Sequence, residues 1–241
     1  FQKRTIDLVY TKEFMDSPRE SPWGTTQKEQ KEGLEFGLEE YTEIDQYCKE
    51  NSIEWFASAW DLESQKFLQR FNLNYNKIAS AMIVYEDLLK IVASEGRHTF
   101  ISTGMTTEEN ITKAVELFGA VNCPFTLMHC VSTYPCEEKD LNLNLIPTLK
   151  EKFKCKIGYS GHETTVSPTY AAWFLGADYI ERHITLDRTM YGTDQSASLS
   201  EAGIRELTNI LSKFPPMLGD GKKIITKDEK KLIPKFRYWK T

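Results

Sequence analysis

The stretch from Lys156 to Thr185, KIGYSGHETTVSPTYAAWFLGADYIERHIT, decides the fold. Two short apolar runs, Lys156–His162 and Tyr179–Thr185, flank a segment expected to be helical from Ser167 to Gly176. Pro168 suits the first turn of that helix, where an N–H would have no intrahelical partner. Run, helix and run of this length read as two parallel strands joined by a right-handed crossover. Each run also closes on residues able to do chemistry: Ser160 and His162 in the first, Glu181 and His183 in the second. In parallel βα architecture, functional groups gather at the C-terminal ends of the strands, where the loops share one mouth.

The same pattern recurs upstream in Trp55–Trp60, Asn76–Ser80, Thr99–Gly104 and Phe125–Cys130, giving six runs in all. Helices are expected between them. Glu39 to Asn51 carries Tyr41, Ile44, Tyr47 and Cys48 at the three-and-four spacing of one buried face. Thr106-Thr-Glu-Glu-Asn110 has a hydroxyl cap and first-turn carboxylates that suit a helix N-terminus. Further helices are expected from Asp61 to Phe71, Tyr85 to Ala93, Leu143 to Phe153 and Ser200 to Phe214. A closed barrel is favoured over a doubly wound sheet, because no Gly-x-Gly-x-x-Gly turn occurs and chemistry follows every strand. Phe1-Gln2-Lys3 counts as the remnant of a seventh strand, and a closed barrel needs eight. The expectation is therefore a (β/α)8 TIM barrel missing its first strand and helix, over residues 1–219, and a basic tail over 220–241. Tyr10 to Phe36 breaks the rhythm and reads as a long functional lid.

Composition narrows the function. A net charge of −5 argues against a nucleic-acid partner. No apolar stretch approaches the length of a membrane span, and no signal peptide opens the chain. Five cysteines without a Cys-x-x-Cys pair suit reduced thiols in a cytoplasmic protein.

Of the four histidines, His162 and His183 stand at neighbouring strand ends and can converge on one divalent ion, with Mn, Zn, Fe or Co suiting imidazole ligands. His98 lies at the opposite mouth and reads as structural; His129 reads as packing. Ser80, Ser102, Ser132, Ser160 and Tyr134, with the backbone amides of Gly104 and Gly161, suit a phosphate or carboxylate. No Gly-x-Ser-x-Gly elbow supports a serine nucleophile. Lys77 supplies a cation, since a lysine inside a barrel is costly unless it meets an anion; Glu181 is its alternative, structural partner.

Taken in order, Lys77-Ile-Ala-Ser80, Ser102-Thr-Gly-Met105, His129-Cys-Val-Ser-Thr-Tyr-Pro135, Gly158-Tyr-Ser-Gly-His-Glu163, Glu181-Arg-His-Ile-Thr185 and Asp194-Gln-Ser-Ala-Ser198 resemble the N-acylneuraminate (sialic acid) synthase family. The resemblance runs from Phe1 to about Gly219. It implies a (β/α)8 barrel, usually a homodimer, that condenses phosphoenolpyruvate with an N-acylmannosamine or its 6-phosphate. It also implies a divalent metal, Mn foremost with Mg or Co as alternatives, on His162 and His183. Lys77, Ser102, Ser132, Tyr134 and Ser160 match positions that hold phosphoenolpyruvate, with Ser80 beside them. Gln2, Glu181 and Asp194 match residues near sugar and metal, and the last two are the candidate catalytic carboxylates. Three departures stand out: Met82 replaces a family carboxylate, Ser132 replaces an asparagine of some members, and these 241 residues leave no room for the small antifreeze-like domain many members append. Two other readings remain, a synthase of deoxy-octulosonate or deoxy-heptulosonate phosphate and a non-catalytic sugar- or anion-binding barrel.

Overall fold

A computed structural model describes residues 1–240. It opens with β1 (Gln2–Lys3), α1 (Ile6–Val9), α2 (Lys12–Asp16), β2 (Pro18–Ser21), β3 (Gly24–Thr26), α3 (Gln27–Leu34) and α4 (Leu38–Glu50). Alternation then sets in: β4 (Ser58–Ala59), α5 (Leu62–Leu68), β5 (Tyr75–Ile78), α6 (Glu86–Ser94), β6 (His98–Ser102), α7 (Glu108–Ala120) and β7 (Phe125–His129). It continues through α8 (Leu145–Phe153), β8 (Lys156–Gly161), α9 (Ser167–Phe174) and β9 (Tyr179–Arg182), followed by α10 (Glu201–Leu218) and α11 (Lys227–Phe236). The chain divides into two compact units, Phe1–Glu201 and Ala202–Thr241, a division 18 residues before the tail expected at 220. Among the described residues, no helix is long and apolar enough to cross a membrane.

Seven strands form one parallel sheet in the order β1-β4-β5-β6-β7-β8-β9. Period-two alternation sorts the side chains. Ile78, Ile101, Leu127 and Ile157 are in register across four strands, and each is fully buried with Leu88, Val92, Ala114, Phe118 and Ile146 of the helices. The opposite face carries Tyr75, His98, Phe100 and Tyr179 low in the strands, and Lys77, Ser102, Ser160 and Glu181 above them. That face must be concave. β6 and β9 are three strand spacings apart, about 14 Å if flat, yet the rings of Phe100 and Tyr179 lie 5.0 Å apart. Lys77 on β5 likewise reaches Glu181 on β9 at 2.7 Å. The sheet is curled into an open barrel, with β1 and β9 unpaired along their outer edges.

The structure departs from the sequence reading in two places. Of the run Trp55–Trp60, only Ser58–Ala59 is strand. The segment expected as a lid loop, Tyr10 to Phe36, holds a two-stranded antiparallel hairpin and two helices. Its order comes from local chemistry. Thr26 and Glu29 form a reciprocal capping box at the start of α3, and the Glu29 carboxylate also accepts from the Thr25 amide.

Candidate active site

The strand alternation that buries isoleucines outward turns one polar group per strand inward. Lys77 Nζ donates to Ser102 Oγ and to Glu181 Oε2, both at 2.7 Å. Ser160 Oγ, in register with Glu181, donates to Glu181 Oε1 at 2.9 Å. Burial pushes the Glu181 carboxyl upward, but the charge and hydrogen bond of Lys77 and the Ser160 hydroxyl outweigh it and hold the group below the usual carboxylate range. Glu181 is thus an ionised carboxylate that can accept a proton.

His162 and His183 follow on the same face, their ring centroids 5.3 Å apart and nearly perpendicular. His162 Nδ1 donates to the Val131 carbonyl at 2.6 Å, which fixes the tautomer and leaves Nε2 with a lone pair. Burial drives His162 down to about 4, so its imidazole is neutral at pH 7. His183 is also lowered, by burial first, against the opposing charges of Asp194 and Glu181. Its Nδ1 lies 3.8 Å from Asp194 Oδ2. Two adjacent neutral imidazoles, one oriented by a carbonyl, are a donor set that suits a nitrogen-ligated divalent metal with open positions. Among the described residues no group of three or more His, Cys, Asp and Glu forms a metal cage, so the pair stands as two ligands only. The Tyr134 ring closes over both, 4.2 Å from His162 and 5.4 Å from His183.

A second cluster lies beside the first. Ser80 Oγ accepts from the Gly104 amide at 3.1 Å and lies 3.2 Å from Cys130 Sγ. A Cβ on Gly104 would stand 2.1 Å from Ser132 Oγ and 2.9 Å from Ser80 Oγ, so the glycine leaves room for hydroxyls that meet over its backbone. Gln2 is the outlier: its amide oxygen accepts from Arg4 Nη2 and touches neither cluster through a hydrogen bond.

The remaining histidines follow the same alternation. His129 points outward, is buried, and bonds the Leu141 carbonyl at 2.7 Å. His98 starts β6 at the far end and bonds Thr126 Oγ1 at 2.9 Å. Met82 packs against the apolar core and offers the site nothing.

Sequence reasoning missed Arg182 and Glu163. Both side chains are 1% exposed, and Arg182 Nη1 meets Glu163 Oε1 at 2.9 Å. Arg182 also donates to the Thr165 carbonyl, Thr169 Oγ1 and the Glu163 carbonyl, while Tyr159 donates to Glu163. Each partner adjoins a site histidine, so the pair fixes the two strand ends that carry them. The available signal was the spacing itself, a carboxylate one residue after His162 and a guanidinium one before His183.

A curled parallel βα sheet with its convergent polar groups at the C-terminal strand ends defines an α/β protein of the barrel type. The chain belongs to the NeuB family, which matches residues 1–223. It is 37% identical over 218 residues to the N-acetylneuraminate-9-phosphate synthase of Drosophila melanogaster, covering 89% of this chain and 59% of that protein. It is 34% identical over 222 residues to the Homo sapiens protein of the same name, covering 91% and 62%. Among solved structures, the N-acetylneuraminic acid (sialic acid) synthetase of Leptospira borgpetersenii, crystallised with citrate, superposes with a TM-score of 0.76. That match has 32% identity and covers 86% of this chain and 72% of that one. The chain thus spans about three fifths of the length of the two synthases.

Proposed function

We propose that this protein condenses phosphoenolpyruvate with an N-acylated hexose, N-acetylmannosamine or its 6-phosphate, to give a sialic acid-type nonulosonate and phosphate. Family membership supports this reading, and one observation carries it: a lysine, an ionised glutamate and two neutral imidazoles meet on one concave face. The same likeness favours it over the other phosphoenolpyruvate–aldose synthases and over a non-catalytic barrel.

Lys77, with Ser102 and Ser160, holds the anionic groups of phosphoenolpyruvate, while Ser80, Ser132 and the Gly104 amide cradle the far oxygens. Tyr134, its ring 4.2 Å from that of His162, shields the reacting carbons from bulk water. A divalent cation on His162 and His183, Mn or else Mg or Co, would supply Lewis-acid polarisation of the sugar aldehyde. The enol carbon of phosphoenolpyruvate bonds to that aldehyde carbon; water adds at the neighbouring carbon, and the tetrahedral adduct expels phosphate. Glu181, held ionised by Lys77, accepts the proton from that water. Asp194, facing His183, serves the aldehyde-derived hydroxyl, and Gln2 lies on the sugar side. Met82 takes no part. In this reading an eighth strand between β1 and β9 closes the barrel, a homodimer is the working form, and the compartment is the cytoplasm.

The test is phosphate release from phosphoenolpyruvate with Mn across a panel of N-acylated hexoses. Release that requires both sugar and metal is expected; release with no sugar of the panel overturns the reading. Lys77→Ala should raise KM for phosphoenolpyruvate about tenfold more than KM for the sugar, because Lys77 binds the anion. Equal effects would make it a structural lysine.

A further inference from the structure

Arg182 ends β9 and Glu163 lies two residues past β8, so each adjoins one of the paired imidazoles, Arg182 beside His183 and Glu163 beside His162. Strand alternation turns Glu181 and His183 inward and Arg182 outward, behind the site and out of reach of a substrate. From there Arg182 Nη1 reaches three acceptors at 2.9 Å: Glu163 Oε1, the Thr165 carbonyl and Thr169 Oγ1. Its Nη2 donates to the Glu163 carbonyl at 2.5 Å. One guanidinium thus gathers two carbonyls, a carboxylate and a hydroxyl from the segment that follows His162. Tyr159 holds the same carboxylate from the other side, its hydroxyl donating to Glu163 Oε2 at 2.9 Å.

Gly161 makes the room for this. It stands in register with Arg182, and a Cβ there would lie 2.8 Å from both carboxylate oxygens of Glu163, which folds back over the strand end. On its other flank His162 is tied to the loop after β7. Its Nδ1 donates to the Val131 carbonyl, and its own carbonyl accepts from the Cys136 amide at 3.0 Å. The guanidinium is the strut that fixes this assembly to the residue before His183. Stability alone does not account for such a pair. Two charges taken out of water gain little over apolar residues of similar volume, and Arg182 Nε is buried without an acceptor.

We propose that Arg182 and Glu163 are positioning residues that hold the His162 and His183 imidazoles in the arrangement a divalent cation needs, and so set the affinity of the site for it. The inference rests on the proposed function for the cation itself. Imidazole–metal bonds of about 2 Å leave little tolerance for drift between two ligands carried on separate strands. Groups that support metal ligands without touching the ion commonly account for about ten- to hundredfold in affinity.

The test is calorimetric titration of the chelator-stripped chain with Mn, in the absence of substrates, with near-ultraviolet circular dichroism confirming that each variant is folded. Arg182→Met and Glu163→Gln should each weaken Mn binding about tenfold or more. The double variant should be no weaker than the worse single one, because the two side chains act as a unit. The two substitutions change the charge behind the site in opposite senses. Shifts of opposite sign would therefore mean that the pair acts through its field, and would overturn positioning. Unchanged affinity in the folded variants would overturn it too, leaving the pair a purely structural one. Arg182→Lys keeps the charge but cannot span the four acceptors; it replaces Arg182→Met should that variant not fold, and the same loss is expected. A wild-type chain that binds no Mn overturns the inference together with the metal. One that binds Mn but releases no phosphate from phosphoenolpyruvate counts against the proposed condensation alone, and the titration still decides the pair.

Discussion

At the scale of single residues, the electrostatics of His162 give a measurable signature. Its pKa falls from about 6.5 in the unfolded chain to about 4 when folded, because the ring is buried. Between those values the unfolded state binds a proton that the folded state refuses, so stability falls as pH drops through that window and levels off below it. The loss between pH 7 and pH 4 is about 3 kcal/mol from this one group. Urea unfolding with a chelator present should show it, and His162→Gln should remove that share of the pH dependence. Parallel wild-type and variant curves would mean that the imidazole is not held neutral. His183 contributes in the same direction, and Glu181, held below the carboxylate range, adds a further loss at still lower pH.

At the scale of elements, two contacts set how the strands and the hairpin hold the site. Arg182 and Glu163 link the C-terminal ends of β9 and β8 out of contact with water. Arg182→Met leaves a buried carboxylate without its cation and should cost about 3–5 kcal/mol in unfolding free energy. A loss below about 1 kcal/mol would mean that water reaches the pair. The second contact is at Gly33 in α3, where an added Cβ would stand 2.1 Å from Trp23 Cγ of the β2–β3 turn. Trp23 in turn packs edge-on to Tyr191 at 6.1 Å, and Tyr191 donates to the Glu20 carbonyl. Alanine favours a helix over glycine by about 1 kcal/mol, yet Gly33→Ala should loosen the hairpin by evicting the indole. Limited proteolysis between Ser21 and Gly24 should then speed up. Unchanged cleavage would show that the ring is not seated on the glycine. The capping box that orders α3 is visible in the sequence as Thr26-x-x-Glu29, whereas the seat for Trp23 is not, because it depends on how the hairpin folds back.

At the scale of the whole molecule, β6, β7 and β8 are each paired on both sides, while β1 has two residues and one free edge. Native-state hydrogen exchange should therefore be slowest in β6–β8 and fast in β1 and in α11, which has no buried residue. Equal protection of β1 and β7 would mean that the free edge is covered in solution. The fully buried apolar layer of Ile78, Ile101, Leu127 and Ile157 is what makes the central strands one cooperative block.

The sequence by itself determined the βα rhythm, the parallel sheet and the face to which each strand residue points. Those depend on local periodicity, and so Ser160, His162, Glu181 and His183 were legible as one inward row. Tertiary structure alone decided which rows meet. The curl that brings Lys77 within 2.7 Å of Glu181 across four strand spacings is the sum of strand twist and of ring packing at the far end, terms that no single window contains. The same holds for Met82, whose chain position beside Ser80 says site and whose packing says core.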